Sequence, residues 1–391
     1  MLAISYMERN NIKIVYLLPS TYNSGGMERV VTNKINYLSS HSYDVYVVTT
    51  DQKGREPYFE QNKNIHQINL DINYEDNKSR NVFSKFFYYF YNQYRHWKKL
   101  SETLHKIKPQ IVISTFNNEL SILSKINDGS KKILEFHFCR NDNDITSPKS
   151  SFVAKVLGYI ENVIYKDPIK KYDCFVLLTE EDKLNWNEYS NTIVIPNAQT
   201  FRHEERNHIR EKIVMAVGRY CKVKGFDRLI SAWNLIKENI AEWQLHIYGE
   251  GSLREVLQTQ IDVLKLNDSI KLMGNSANIK AEYEKASLLV VTSHYEGFSM
   301  ALVEGKSAGL PLISFDCPCG PKEIINNEID GFIVKNGDIR ALADKILLLI
   351  KDDKLREKMG ERAFENSTFF SEDVIMKRWI DLFNSLLNKN A

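Results

Sequence analysis

The chain has 391 residues, enough for two domains that each bury a core of their own. With 43% hydrophobic and 26% charged residues and a formal net charge of +2, its composition is that of an ordinary globular protein, and its overall charge gives no argument for a nucleic-acid partner. Met1–Ile12 carries Glu8, Arg9, Asn10 and Asn11 where a signal peptide would be apolar, and no apolar run reaches the roughly 18 residues needed to cross a bilayer. A cytoplasmic protein is expected, working at most against the inner face of the cell membrane.

Short apolar runs alternate with helix-periodic segments along most of the sequence. Strands are predicted at Ile12–Leu18, Val45–Thr50, Ile111–Phe116, Ile133–Phe138, Cys174–Leu178 and Ile193–Ile195 in the first half. In the second half they are predicted at Ile213–Val217, Gln244–Tyr248, Ile270–Met273, Leu288–Thr292, Leu312–Phe315 and Phe332–Val334, with helical segments such as Phe226–Ile236, Leu253–Leu266 and Ile339–Ile350 between them. This alternation is the pattern of parallel sheets with crossover helices. The polar, aperiodic stretch Gln199–Glu211 separates the halves. The expected architecture is therefore two Rossmann-like α/β domains, residues 1–200 and 201–372, with a ligand cleft between the carboxyl ends of their sheets. A helix near Asp373–Leu387, within residues 373–391, ends the chain and is free to pack back on the first half.

Five cysteines, Cys139, Cys174, Cys221, Cys317 and Cys319, are odd in number and scattered. They suggest no disulfide framework, and Cys317-Pro-Cys319 lacks a second ligand pair at metal-site spacing. Between Lys78 and Lys108 there are eight Lys or Arg against the single acid Glu102, interleaved with Phe83, Phe86, Phe87, Tyr88, Tyr89, Phe90, Tyr91, Tyr94 and Trp97. A second stretch, 149–171, mixes apolar residues with five lysines. Aromatics among basic residues suit a helix lying on anionic lipid, though a helix buried against the first sheet with a solvated basic face has the same composition.

Chemistry-bearing residues occur at the ends of predicted strands. Ser24-Gly25-Gly26-Met27-Glu28-Arg29 follows the first strand, and its glycines let backbone approach a ligand, although a structural turn reads the same way. His137 of Glu135-Phe136-His137 closes a strand, where a lone histidine is often structural. Gly218-Arg219 and Lys224-Gly225 place two cations just before a helix near Phe226, a means of neutralising a diphosphate or else two solvated loop charges. In His294-Tyr295-Glu296-Gly297-Phe298-Ser299-Met300-Ala301-Leu302-Val303-Glu304, a carboxylate precedes a helix N-terminus and another follows one and a half turns in. Free N–H groups there suit an anion and the acids suit paired sugar hydroxyls; two solvated acids on a surface helix are the alternative. Asp142-Asn143-Asp144 looks like a metal-nucleotide motif but lies in a polar loop.

In these last motifs the chain resembles glycosyltransferase family 4, whose signature is two glutamates separated by seven residues. The resemblance implies the GT-B fold and a retaining transfer of a hexose or N-acetylhexosamine from a nucleotide sugar, UDP-linked by default. The acceptor would be a glycan or lipid-linked oligosaccharide of surface-polysaccharide synthesis. It implies that His137, Arg219, Lys224 and Glu296 form the catalytic group and that Glu304 holds the donor ribose. Gly25, Gly26, Gly218, Gly249, Gly274, Asn275, Gly297, Phe298, Ser299 and Met300 would line the donor site, with Cys319-Gly320-Pro321-Lys322-Glu323 as a further cleft segment. No cofactor or metal is expected. The rival readings are a sugar-nucleotide epimerase of the same fold and a non-catalytic binding partner of a true transferase.

Overall fold

The computed structural model describes residues 12–77, 82–140 and 168–388. The Asp142–Asp144 loop and most of 149–171 lie outside the described residues. Lys13-Ile-Val-Tyr-Leu-Leu18 forms β1, buried at every position after Lys13, the mark of a strand covered on both faces. Around it assemble β2 (Asp44–Thr49), β3 (His66–Asn69), β4 (Ile111–Ser114), β5 (Lys131–Glu135), β6 (Cys174–Leu177) and β7 (Thr192–Val194). The second group is β8 (Ile213–Val217), β9 (Gln244–Tyr248), β10 (Ile270–Gly274), β11 (Leu288–Val291), β12 (Leu312–Asp316) and β13 (Gly331–Lys335).

The first sheet has seven strands in the order β3-β2-β1-β4-β5-β6-β7, and the second has six in the order β10-β9-β8-β11-β12-β13. All neighbouring strands among the described residues run parallel, for example Leu17 against Val48 and Ser114, and Val217 against Tyr248. In each sheet the strand order reverses once, between β1 and β4 and between β8 and β11. Ligands of such sheets bind beyond the strand ends at that reversal. Two departures from the sequence reading matter. β3 was not anticipated, because His-Gln-Ile-Asn is polar and largely exposed at the sheet edge. β5 ends at Glu135, so His137 stands in the loop beyond it, although Phe136 N still donates to Val176 O at 3.0 Å.

The helices used below are α1 (Gly26–Ser40), α2 (Val82–Ile107), α3 (Glu180–Asn185), α4 (Phe226–Ile236), α5 (Met300–Ser307), α6 (Ile339–Lys351) and α7 (Glu372–Asn388). On α2, Asn92, His96, Leu100 and Leu104 recur every four residues and are buried. The aromatics Phe87, Phe90, Tyr91, Tyr94 and Trp97 recur at helical spacing on the outside, 43% to 74% exposed. The helix thus packs on the first sheet with its polar-to-aliphatic face and turns its aromatic stripe to solvent. α4 and α6 cover one face of the second sheet with Leu229, Trp233, Leu342 and Ile346.

The chain passes between the lobes near Gln199 and returns near Phe370, and Gln199 N donates to Phe370 O at 2.8 Å where the two crossings meet. After the return, α7 inserts Ile375, Met376, Trp379 and Phe383 into the same buried cluster as Ile14, Val45 and Ile113 of the first sheet. Trp379 is 1% exposed and also lies over the Lys34 ammonium, 3.9 Å from ring centroid to nitrogen. Truncating a buried tryptophan forfeits its transfer energy and leaves a cavity, so Trp379→Ala should cost about 3–5 kcal/mol. Chemical denaturation would show this as a lowered midpoint, and an unchanged midpoint would mean that α7 does not hold the first lobe.

Candidate active site

The second sheet supplies one wall of the cleft at its reversal point. Beyond β8 the chain makes a tight turn and reaches Gly225 in the left-handed region, with φ +59°. A Cβ there would stand 2.3 Å from the Thr292 carbonyl oxygen beyond β11, so only glycine lets the two loops touch. They are stitched by His294 N to Val223 O at 2.7 Å and Thr292 Oγ1 to Lys224 O at 3.0 Å. The stem of Lys224 lies along Gly218, whose missing side chain leaves it room. Its Nζ donates to both carboxylate oxygens of Glu296, at 2.7 and 2.9 Å, and Ser293 Oγ adds a third donor at 2.6 Å. Arg219 is exposed one residue beyond Gly218, and its side chain makes no hydrogen bond or ion pair among the described residues.

Ser299 is the N-cap of α5, and no side chain caps that helix, which leaves its first N–H groups for an anion. Gly320 closes over this end, with its Cβ position 3.4 Å from Ser299 N and 4.0 Å from Glu296 Cβ. Phe298 is buried in the second-lobe core and fixes the loop from below, while Met300 is half-buried at the helix start. Glu304 receives a hydrogen bond from Tyr283 OH at 3.0 Å and another from Thr200 Oγ1, and burial raises its pKa against these donors and Arg29. Gly218, Gly249 and Gly274 stand side by side at the ends of β8, β9 and β10, joined by Gly218 N to Tyr248 O at 3.0 Å and Gly249 N to Gly274 O at 2.9 Å. Asn275 follows them, exposed.

The first sheet supplies the opposite wall. Gly25 and Gly26 open α1 beyond β1, and Gly25 is pressed by the Glu28 carboxylate of the same turn. His137 is 8% exposed, and neither ring nitrogen has a hydrogen-bond partner among the described residues. The nearest carboxylate oxygen, Glu135 Oε1, is 3.3 Å from Nε2 but not aligned for a hydrogen bond, and it is taken by Lys34 Nζ from α1. Burial pulls the His137 pKa down to about 4, with Lys34 adding to the fall and Glu135 opposing it. The ring is therefore neutral at neutral pH, with both nitrogens buried and unpaired among the described residues.

The two walls meet. A Cβ on Gly297 would lie 2.2 Å from the His137 carbonyl oxygen and 2.9 Å from Phe138 Cα, so the Glu296 loop rests directly on the His137 loop. At the start of α3, Glu181 N donates to Glu323 at 3.1 Å, and Cys319 N donates back to Glu181 at 3.0 Å. Cys139 and Cys319, from opposite lobes, form a disulfide with Cα atoms 6.2 Å apart. This pairing corrects the expectation of unpaired cysteines: the two are 180 residues apart and meet only through the fold. Arg29, Thr200, Tyr283 and Ser293 were likewise not singled out by sequence. Arg29 is the member of the Gly25-Gly26 segment that faces the other lobe, lying over Phe201 at 5.6 Å.

Residues 198–366 match the family model described as Glycosyl transferases group 1. The amylovoran biosynthesis glycosyltransferase AmsD of Erwinia amylovora is 27% identical over 383 residues, covering 95% of this chain and 99% of its own. An α-1,4-N-acetyl-D-galactosaminyltransferase of Campylobacter jejuni, named for a GalNAc-containing glycan on diphospho-undecaprenol, is 25% identical over 96% of this chain and 99% of its own. Among solved structures, S. aureus TarM in complex with UDP superposes with a TM-score of 0.77 at 19% identity, over 95% of this chain and 100% of that one. The two parallel-sheet domains are the GT-B fold. Residues 198–366 are thus similar to the group 1 glycosyl transferases, and the comparisons together support a glycosyltransferase of polysaccharide or glycoconjugate biosynthesis.

Proposed function

We propose that the chain is a retaining, family 4 glycosyltransferase that moves a hexose or N-acetylhexosamine from a nucleotide sugar, UDP-linked by default, to a glycan or lipid-linked oligosaccharide. The observation that carries this reading is the Lys224–Glu296 pair, set between the two strand ends that flank the reversal of the second sheet and beside the uncapped start of α5. An ammonium held by a carboxylate at the cleft surface is a cation kept in place for a stronger anion. In this reading the donor diphosphate lies against the N–H groups of Ser299 and Met300, with Lys224 and Arg219 taking up the charge that grows as the sugar departs. Glu296, released from part of its hold on Lys224, accepts from hydroxyls of the transferred sugar, and Glu304 accepts from the ribose.

The adjoining strand ends at Gly218, Gly249 and Gly274, with Asn275, offer backbone groups to the base. Gly25 and Gly26 face the phosphates from the other side. The neutral His137 ring meets a sugar hydroxyl near the reacting carbon, and the acceptor hydroxyl attacks on the face the phosphate leaves, the phosphate taking its proton. The two cations do the charge neutralisation that a metal otherwise does, so no cofactor is invoked. Residues 1–200 act as the acceptor-side domain and 201–372 as the donor domain, with 373–391 returning to the first. The named chemistry of the C. jejuni relative favours a lipid-linked acceptor, and the outward aromatic stripe of α2, with Arg95, Lys98 and Lys99 near it, suits the surface of an anionic bilayer.

A screen of nucleotide sugars by hydrolysis and thermal shift identifies the donor. With that donor, Lys224→Ala should lower kcat by about a hundredfold or more, the scale of losing one charge-stabilising group; unchanged turnover would remove Lys224 from the mechanism. On vesicles rich in phosphatidylglycerol at low salt, the protein should co-sediment, and Phe90→Ser with Trp97→Ser should return it to the supernatant. Wild-type protein that stays in the supernatant would end the membrane assignment.

A further inference from the structure

The Cys139–Cys319 bond joins the loops that carry the two halves of the site. Cys139 is two residues beyond His137, and Cys319 directly precedes Gly320, which packs on Glu296, Phe298 and Ser299. Both sulfurs are buried, at 1% and 0% exposure, beneath the reciprocal contacts of Glu181 with Cys319 and Glu323. The buried carboxylate of Asp182 stands beside them, accepting from Arg140 N at 3.1 Å. Cys174, Cys221 and Cys317 remain thiols. Cys317 sits in the same loop as Cys319, but burial, reinforced by Glu296, pushes its thiol up to about 12, so it is a poor competitor for the pairing.

A bond inside one core staples a fold, whereas a bond between two lobes fixes the width of the cleft between them. We propose that Cys139 and Cys319 form a redox-sensitive clasp that locks the lobes closed over the donor site. Either sulfur becomes accessible only when the lobes part. In that open state one thiolate attacks a low-molecular-weight disulfide such as oxidised glutathione, giving a mixed disulfide and releasing one glutathione thiol. Closure brings the second cysteine onto the mixed disulfide, and its attack forms the Cys139–Cys319 bond and releases the second glutathione. Two protons and two electrons pass from the protein dithiol to the glutathione disulfide. The closed clasp is reduced slowly, through partial openings that admit reductant, and the cleft exchanges ligand slowly until the bond is reduced.

The effects on turnover and on UDP release rest on the transferase reading above, while the cross-link itself does not. Full-length protein equilibrated in oxidised or reduced glutathione is trapped with an alkylating agent, digested and analysed by mass spectrometry, and UDP release is followed in parallel. Oxidised protein should show a peptide pair joined through Cys139 and Cys319 and three alkylated thiols. Its UDP release and its turnover should each slow by about tenfold, the scale expected when opening limits turnover, and recover with reductant. Cys139→Ser should match the reduced wild type in both buffers, and Cys319→Ser should lose its response to oxidant relative to its own reduced rate. Five alkylated thiols after oxidation would overturn the proposal. So would a cross-linked protein that releases UDP at the reduced rate, or stoichiometric zinc held by Cys139, Asp182 and Cys319 in the isolated protein.

Discussion

The arrangement of the cleft depends on one close approach. Gly297 rests on the carbonyl of His137 at a distance that leaves no room for a side chain. A single methyl group there would have to displace backbone, which is not soft in the way a flexible side chain is. This contact sets the spacing between the uncapped start of α5 and the buried imidazole of His137, the two features that would meet adjoining parts of one bound molecule. The other inter-lobe contacts agree with it. Glu181 with Cys319 and Glu323, and Thr200 with Glu304, all hold the same closed geometry.

Charge is placed within that geometry in two ways that differ in burial and hence in role. Lys34 and Glu135 are buried at 5% and 0% exposure, capped by Trp379. Burial lowers the Lys34 pKa, and Glu135 opposes the shift through its charge and hydrogen bond. Removing either partner would strand a buried charge, a cost of about 3–5 kcal/mol, so the pair is part of the scaffold beneath His137. Lys224 and Glu296, at 23% and 9%, stand at the cleft surface where water and ligand reach the ammonium. A pair that is partly solvated can be re-partnered at small cost when a phosphate arrives. The same two residue types thus serve as a fixed support in one wall and as an exchangeable contact in the other.

How much of this could be read from sequence follows from how local each feature is. All six strands of the second sheet lie within a residue of their expected positions, since each is a mainly apolar run, interrupted at single positions such as His246 in β9 and Lys271 in β10. The motif residues Lys224 and Glu296 were legible because each sits at the end of such a strand, where a parallel sheet presents its ligand side. β3 was missed because an edge strand with exposed His66 and Gln67 carries no apolar signature. The aromatic run of α2 was ambiguous for a similar reason. Composition does not say which face a helix buries, and here the inward face is the less conspicuous series Asn92, His96, Leu100 and Leu104. Tyr283, Thr200 and the Cys139–Cys319 pair have no local signal at all. Their partners are 21, 104 and 180 residues away, and only the topology brings them together.

The return of the chain to the first lobe gives the hinge its character. Two crossings that meet at the Gln199–Phe370 hydrogen bond resist twisting and sliding between the lobes more than a single linker would, and leave bending as the easy motion. Because α7 belongs to the core of the first lobe, the crossing near Phe370 is anchored on one side by Trp379 and Phe383 and on the other by Phe298, which lies 5.8 Å from the Phe370 ring. Phe298 belongs to the same loop as Glu296 and Gly297. The crossing near Phe370 is thus packed directly against the loop that holds the Lys224 counter-ion, so bending there would act on that loop through the Phe298 and Phe370 rings.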